Sequence, residues 1–167
     1  MSLIVADSGS IHYLILCEAI DVLPKLYGRM LVPAAVAHEL THVHTPQVVS
    51  QWVRNIPHWA AVVSPLRIDP ATQLGLGERQ AIALALEFDA TQLLIDDRTA
   101  RRIADQRGVL TTGTVGILEQ AAANKLLNLQ EAIQKLLKTN FRIDADVVRE
   151  VIERDTTRRN NQTSGSS

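Results

Sequence analysis

Short apolar runs alternate with longer helical patterns along most of this chain, and this alternation limits the fold more than any other feature. Each run is rich in Val, Ile or Leu and ends at turn-forming or polar residues. The runs are "SLIVAD" (2–7), "RMLVP" (29–33), "WAAVVSP" (59–65), "ATQLLID" (90–96) and "VLTTG" (109–113). Because helices separate these strands, the strands are expected to lie parallel and to be covered on both faces. We predict the α/β class: a three-layer α/β/α sandwich with a central parallel sheet of four to five short strands.

The length and composition are those of a globular protein with one core. A chain of 167 residues with 46% hydrophobic residues fits a single domain, to which we assign residues 1–155. The polar segment "TTRRNNQTSGSS" (156–167) is predicted to be a disordered tail. No basic region leads into a long apolar run, and no run is long enough to span a bilayer. We therefore expect a cytoplasmic protein without membrane contact.

Acidic residues fall where the predicted strands end. Asp7 ends the first strand, and Asp96 and Asp97 end the fourth. Glu39 lies on the helix after the second strand, and Glu78 opens the apolar helix before the fourth. In open parallel sheets, ligands bind beyond the carboxyl ends of the strands, so these acids are expected to converge. Close carboxylates repel each other unless cations lie between them, and such oxygen-rich sites suit Mg²⁺ or Mn²⁺. Helix capping is the alternative explanation for each acid taken alone.

Five segments resemble, in order, the successive blocks of PIN-domain nucleases, in particular the small prokaryotic branch related to VapC-type toxins of toxin–antitoxin modules. The segments are "LIVADSGSIHYL", "LVPAAVAHEL", "GLGERQAIALALE", "LLIDDRTARRIA" and "TTGTVGILEQAAANKLL". The resemblance runs from about residue 3 to residue 130. It implies an acidic pocket that holds Mg²⁺ or Mn²⁺ and hydrolyses RNA phosphodiester bonds.

The family's acids carry over to positions of this sequence. The resemblance implies that Asp7, Glu39, Glu78 and Asp97 are catalytic, and that the same acids together with Asp96 bind the metal. Because Asp96 and Asp97 are adjacent, the sequence does not separate them, and we favour Asp97 slightly. One bound ion would lower the pKa of a water, and a second would stabilise the leaving oxygen. The sequence does not decide between one ion and two.

Hydroxyl and arginine side chains accompany the acids. Ser8, Thr112 and Thr114 are candidates for positioning phosphate or water, with capping and turn formation as the alternative. Arg98, Arg101 and Arg102 are candidates for RNA binding on the helix after the fourth strand. A solvated helix face explains the same arginines without any function.

The stretch "HELTH" (38–42) also matches the His-Glu-x-x-His pattern of zinc peptidases. On a predicted helix over residues 34–43, His38 and His42 would share one face, with Glu39 as the general base. No recognisable pattern supplies a third ligand, and a zinc site leaves Asp7 and Glu78 unexplained. We therefore treat the peptidase as the weaker alternative.

The function predicted from the sequence is that of a divalent-metal-dependent endoribonuclease, the toxin component of a toxin–antitoxin module. Expected partners are RNA, an antitoxin protein and a second copy of the chain in a homodimer. The alternative is a PIN-fold module that binds nucleic acid or protein with little nuclease activity. A net charge of −1 argues against a general nucleic-acid coat protein but leaves room for a local basic patch.

Overall fold

The computed structural model describes residues 2–165. Within them, one sheet is built from parallel strands in the order β3-β2-β1-β4-β5. The strands are β1 (Ser2–Ala6), β2 (Gly28–Pro33), β3 (Ala60–Val63), β4 (Gln92–Leu94) and β5 (Thr111–Thr112). The predicted central parallel sheet of short strands is confirmed.

Helices cover both faces of this sheet. They are α1 (Ser8–Leu16), α2 (Leu23–Leu26), α3 (Ala34–Leu40), α4 (Gln47–Arg54), α5 (Leu76–Glu87), α6 (Arg98–Gln106), α7 (Thr114–Ala123), α8 (Leu129–Leu137) and α9 (Ala145–Ser164). Successive side chains of a strand point to opposite faces. Thus Ile4 and Ala6 pack in the core under α1, α7 and α8, whereas Val5 packs in the core under α5 and α6. The three-layer α/β/α sandwich is confirmed.

The strand order reverses between β1 and β4. The chain builds outward from β1 through β2 to β3, then crosses back to place β4 on the other side of β1. The amide of Asp7 donates a hydrogen bond to the carbonyl of Leu94 (2.9 Å), so β1 and β4 end side by side. Crevices at such switch points are where open α/β sheets bind ligands.

Two helix boundaries differ from those predicted. The helix expected over residues 34–43 ends at Leu40, so His42 lies beyond it. The segment predicted to be disordered continues α9 to Ser164, whereas residues 166–167 lie outside the described residues. Asp155 is buried and pairs with Arg158 (2.9 Å) and Arg159 (3.1 Å) one turn further on. These pairs favour helix in a segment whose polar composition alone indicated disorder.

Among residues 2–165, no helix combines the length and apolarity that crossing a membrane requires.

Replacing Asp155 tests what holds the end of α9. Asp155→Ala removes both ion pairs from a buried position, so we expect the free energy of unfolding in urea to fall by about 1 kcal/mol or more. Hydrogen exchange should also become faster over residues 158–164. The matched control is Asp146→Ala, which removes the exposed ion pair with Arg149 at the start of the same helix. Because exposed pairs contribute little, the control should stay within about 0.5 kcal/mol of the wild type. Equal effects of the two substitutions would contradict this account of α9.

Candidate active site

Asp7 is the most buried acid at the switch point. It follows β1 directly, its relative exposure is 8%, and its side chain does not cap α1. The pKa of Asp7 is raised from an ordinary value of 3.8 to about 7, and burial is the largest cause. The hydrogen bond from the Ser8 backbone acts in the opposite direction and lowers the pKa. The charges of Glu78, Glu39 and Asp96 contribute to the same rise. The Asp7 carboxyl therefore lies where acids from three other segments act on it.

Glu39 and Glu78 meet where α3 packs against α5. A Cβ atom at Gly77 would lie 2.8 Å from Oε1 of Glu39, so this carboxylate lies against the first turn of α5. Glu78 follows Gly77 in that turn. Burial raises the pKa of Glu78, and the charges of Asp97 and Glu39 raise it further. The two glutamates thus belong to the same electrostatic group as Asp7.

The adjacent acids Asp96 and Asp97 make different contacts. Asp96 accepts hydrogen bonds from the backbone N–H (2.8 Å) and the hydroxyl (2.7 Å) of Thr114, which is fully buried. Asp97 is exposed and caps α6 by accepting from the N–H of Ala100 (2.8 Å). The charge of Asp96 acts on Asp7, whereas that of Asp97 acts on Glu78. Thr114 therefore fixes the orientation of Asp96, and α6 fixes that of Asp97.

We call these five carboxylates, Asp7, Glu39, Glu78, Asp96 and Asp97, the acidic edge. All of its donor atoms are carboxylate oxygens, which suit hard divalent cations. Yet no three His, Cys, Asp or Glu side chains within residues 2–165 lie close enough together to hold one ion. The acidic edge therefore matches a divalent ion in donor chemistry and charge, but its carboxylates interact over longer distances than a common coordination sphere requires.

Two cavities open beside the acidic edge. The larger, of about 710 Å³, is lined by Asp96, Arg98, Arg101 and Thr112 together with residues 141–144 of the α8–α9 connection. We call it the arginine cavity. The smaller, of about 280 Å³, is lined by Ser8 and Glu39 among others. The three predicted hydroxyl residues are thus placed differently: Ser8 and Thr112 line cavities, and Thr114 holds Asp96.

The predicted arginines are only partly brought together. Arg98 and Arg101 line the arginine cavity, whereas Arg102 is exposed and does not line it. Arg142 joins them from the α8–α9 connection, and it was not among the predicted residues. No local pattern around Arg142 could have identified it, because its position depends on how that connection packs against the domain.

The "HELTH" segment lacks the geometry of a zinc motif. Because α3 ends at Leu40, His38 and His42 do not share one helix face. Both histidines are exposed, and Nδ1 of His42 accepts a hydrogen bond from the backbone N–H of His44 (3.3 Å). Glu39 belongs to the acidic edge, and the flanking histidines form no metal-binding group with it in the described part of the chain.

An α/β/α sandwich with carboxylates gathered at its switch point is the arrangement of a nuclease-like domain. The model of the DUF3368 family, a PIN domain, matches residues 3–156, so the chain belongs to this PIN-domain family. PIN domains are generally nucleases, which are hydrolases. No curated protein matches the chain.

The raised pKa of Asp7 predicts a pH-dependent stability in EDTA. Between about pH 4 and pH 7 the unfolded chain has lost this proton while the folded protein keeps it. The free energy of unfolding should therefore fall as pH rises through this window and level off above it. The shift corresponds to a loss on the order of 4 kcal/mol. Asp7→Asn cannot ionise and should flatten most of the slope in urea unfolding measured from about pH 4 to pH 8.

The control for this experiment is Asp105→Asn, which removes a carboxylate from an exposed position near the end of α6. It should reproduce the wild-type slope. An Asp7→Asn variant whose stability falls with pH as steeply as the wild type would show that Asp7 keeps an ordinary pKa.

Gly113 tests the tight packing around Asp96. Gly113 and Gly75 are both N-cap residues with extended backbones, so replacing either by alanine loses the same capping preference. A Cβ at Gly113 would lie 2.7 Å from Oδ1 of Asp96, whereas one at Gly75 has no neighbour within 4 Å. Since Thr114 holds Asp96 in place, Gly113→Ala should lower the free energy of unfolding in urea by about 1–3 kcal/mol more than Gly75→Ala does. Equal losses would mean that Asp96 moves aside freely.

Proposed function

We propose that this protein is a divalent-metal-dependent endoribonuclease that hydrolyses RNA phosphodiester bonds at the acidic edge. The observation that carries the proposal is the buried carboxyl of Asp7, whose pKa is raised to about 7 in the company of three other acids. A fold gains no stability from such a group, because ionising it in place is unfavourable. Strongly perturbed acids of this kind are typical of functional sites.

Helix capping, the competing explanation, fits only part of the acidic edge. It accounts for Asp97, whose side chain accepts a hydrogen bond from the first turn of α6. It does not account for the burial of Asp7, whose only bond to α1 comes from the backbone of Ser8 and whose side chain forms no N-cap hydrogen bond. Nor does it account for Glu39, which lies near the end of α3 rather than at its start. A shared role in binding a cation explains all these acids together.

The chain's own residues define the chemistry. Asp7, Glu39, Glu78, Asp96 and Asp97 would hold Mg²⁺ or Mn²⁺ after drawing closer together than they lie in this structure. The bound ion would lower the pKa of water and stabilise charge on the leaving oxygen. Thr114 fixes the orientation of the Asp96 carboxylate through its two hydrogen bonds. Arg98 and Arg101, which line the arginine cavity together with Asp96, provide positive charge for the phosphates of a substrate.

The biological role that we propose is that of a toxin in a toxin–antitoxin module, acting in the cytoplasm as a homodimer. This role rests on the resemblance of the sequence blocks to VapC-type toxins. An antitoxin that inserts an Arg or Lys into the acidic edge would neutralise its charge and block it. Co-purification with the product of a neighbouring gene, together with loss of growth when the chain is expressed alone, would test the role.

Asp7→Asn tests the proposed activity. The substitution keeps the shape of the side chain and removes one metal-binding charge. Replacing a residue that only orients a metal ligand typically lowers metal affinity or activity by about 10- to 100-fold. Asp7 is a proposed ligand itself, so we expect the rate of cleavage of single-stranded RNA in Mg²⁺ or Mn²⁺ to fall by about 100-fold or more. EDTA should abolish wild-type cleavage. Melting temperature with and without Mn²⁺ gives an independent readout, and the stabilisation by Mn²⁺ should shrink in the variant.

Three control variants accompany this test. Asp105→Asn removes a carboxylate away from the acidic edge, and His38→Ala and His42→Ala disrupt the zinc pattern. All three should cleave within a few fold of the wild type. Metal-dependent cleavage that survives Asp7→Asn would refute the proposed site. A wild type that binds RNA but never cleaves it would favour the binding module, and stoichiometric zinc lost in both histidine variants would favour the peptidase.

A further inference from the structure

The α8–α9 connection reaches both cavities beside the acidic edge. Phe141 and Arg142 line the arginine cavity, and Asn140 lines the smaller cavity together with Ser8 and Glu39. No residue of the connection belongs to the acidic edge itself. The segment therefore borders both of the cavities that open beside the carboxylates.

Side-chain contacts hold this connection on α1. The hydroxyl of Tyr13 donates a hydrogen bond to Oδ1 of Asn140 (2.8 Å). The ring of Phe141 meets the ring of Tyr13 edge to face, with centroids 4.9 Å apart. The backbone N–H of Phe141 donates to the hydroxyl of Thr139 (3.1 Å). The wall that Phe141 and Arg142 contribute is therefore preformed.

The arginines of this cavity have no protein partners. Within residues 2–165, the guanidinium groups of Arg98, Arg101 and Arg142 form no hydrogen bond or ion pair. On α9, by contrast, Arg149 pairs with Asp146 and Arg154 pairs with Glu119. These three unpaired cations outnumber the two carboxylates of the same lining, Asp96 and Asp144, so the cavity keeps positive charge available to a ligand.

The arginine cavity adjoins the acidic edge through Gly113. A Cβ at this glycine would lie 2.7 Å from Oδ1 of Asp96 and 3.4 Å from a terminal guanidinium nitrogen of Arg101. Asp96 and Arg101 thus lie against the same backbone position. A phosphate at the acidic edge would have the cavity as its immediate neighbour.

Resting on the proposed function, we infer that the arginine cavity binds the nucleotide next to the scissile phosphate of a single-stranded RNA. Arg98, Arg101 and Arg142 contact its phosphates, and Phe141 supplies an aromatic surface for its base. Val115 and Val147 extend the apolar wall. A volume of about 710 Å³ is within the range of small-ligand sites and leaves room for a nucleotide.

Single-stranded RNA fits this surface better than a duplex or a protein segment. A base can enter a cavity only when it is unstacked, whereas the bases of an A-form duplex stay inside the helix. Cations beside an aromatic and apolar wall match the alternation of phosphate and base along one strand. An acidic peptide would use the arginines but has less use for the aromatic wall.

Binding of a fluorescently labelled single-stranded RNA in EDTA tests the inference, because no cleavage is needed for the readout. Arg142→Ala should weaken binding and reduce the dependence of log K on log salt by about 0.7. Phe141→Leu keeps an apolar side chain but loses the aromatic face, so the Kd should rise by about tenfold with an unchanged salt slope. Arg149→Ala, which removes an exposed and already paired arginine on α9, is the matched control and should bind as the wild type does.

The outcomes separate this inference from the proposed function. If the wild type cleaves RNA while both cavity variants bind it normally, the cavity is not a nucleotide site and the nuclease proposal stands. If the variants lose RNA binding while the wild type never cleaves, the nuclease proposal fails and the cavity remains a nucleotide site. A wild type that binds no single-stranded RNA, or binds the duplex equally well, overturns the inference. The inference is also overturned if Arg142→Ala binds RNA as the wild type does but no longer binds an acidic peptide.

Discussion

The parallel pairing of β1 with β4 is the constraint on which the rest of the site depends. The hydrogen bond from the amide of Asp7 to the carbonyl of Leu94 aligns the ends of these strands at the reversal of strand order. Side chains alternate between the faces of a sheet, so a slip of one residue would exchange the two cores. Ile4 and Ala6 would then face α5 and α6, and Val5 would face α1. The apolar cores thus fix the register, and the register fixes where Asp7 lies.

Opposite charges lie next to each other at this point of the fold without neutralising one another. Asp96 accepts its hydrogen bonds from Thr114 rather than from the nearby Arg101, and Asp7 is buried against other acids. An ion pair between Asp96 and Arg101 would have stabilised the apo protein while occupying both groups. Keeping them apart leaves the carboxylate free for the cation, and the guanidinium free for the phosphate, that we propose to bind there. On the proposed function, the fold gives up the stability of an ion pair so that both groups can bind ligands, as is common where a fold carries a site.

The sequence predicted those parts of the site that depend on strand ends. Asp7 and the Asp96–Asp97 pair follow apolar runs, so their position at the edge of a parallel sheet follows from periodicity alone. What separates Asp96 from Asp97 is the side chain of Thr114, which reaches Asp96 from the start of α7. That contact depends on tertiary packing and has no signature in the local sequence.

The same limit explains the other differences. Arg142 comes to the cavity because Phe141 beside it packs on Tyr13, a residue far away along the chain. The polar composition of residues 156–164 indicated disorder. The segment is nevertheless helical, because Asp155 lies three and four residues before Arg158 and Arg159 and pairs with both across one helical turn. A single sequence does not predict contacts between distant segments. Nor does it predict ion pairs that form only once a helix exists.

"HELTH" shows how the surroundings decide which chemistry a short motif can perform. The hydroxyl of Thr41 donates to the carbonyl of His38 (2.9 Å), and that of Thr45 donates to the carbonyl of Glu39 (3.2 Å). The same two carbonyls also accept bonds from the backbone N–H groups of Thr41 (3.2 Å) and His42 (3.1 Å), each three residues further on, which is the tightened pattern in which a helix ends. A zinc motif needs the helix to continue for one more turn, so that both histidines lie on one face. Glu39 needs only the turn it has, because α5 and Gly77 lie directly against its carboxylate. The end of the helix thus removes the geometry for zinc and keeps the glutamate at the acidic edge.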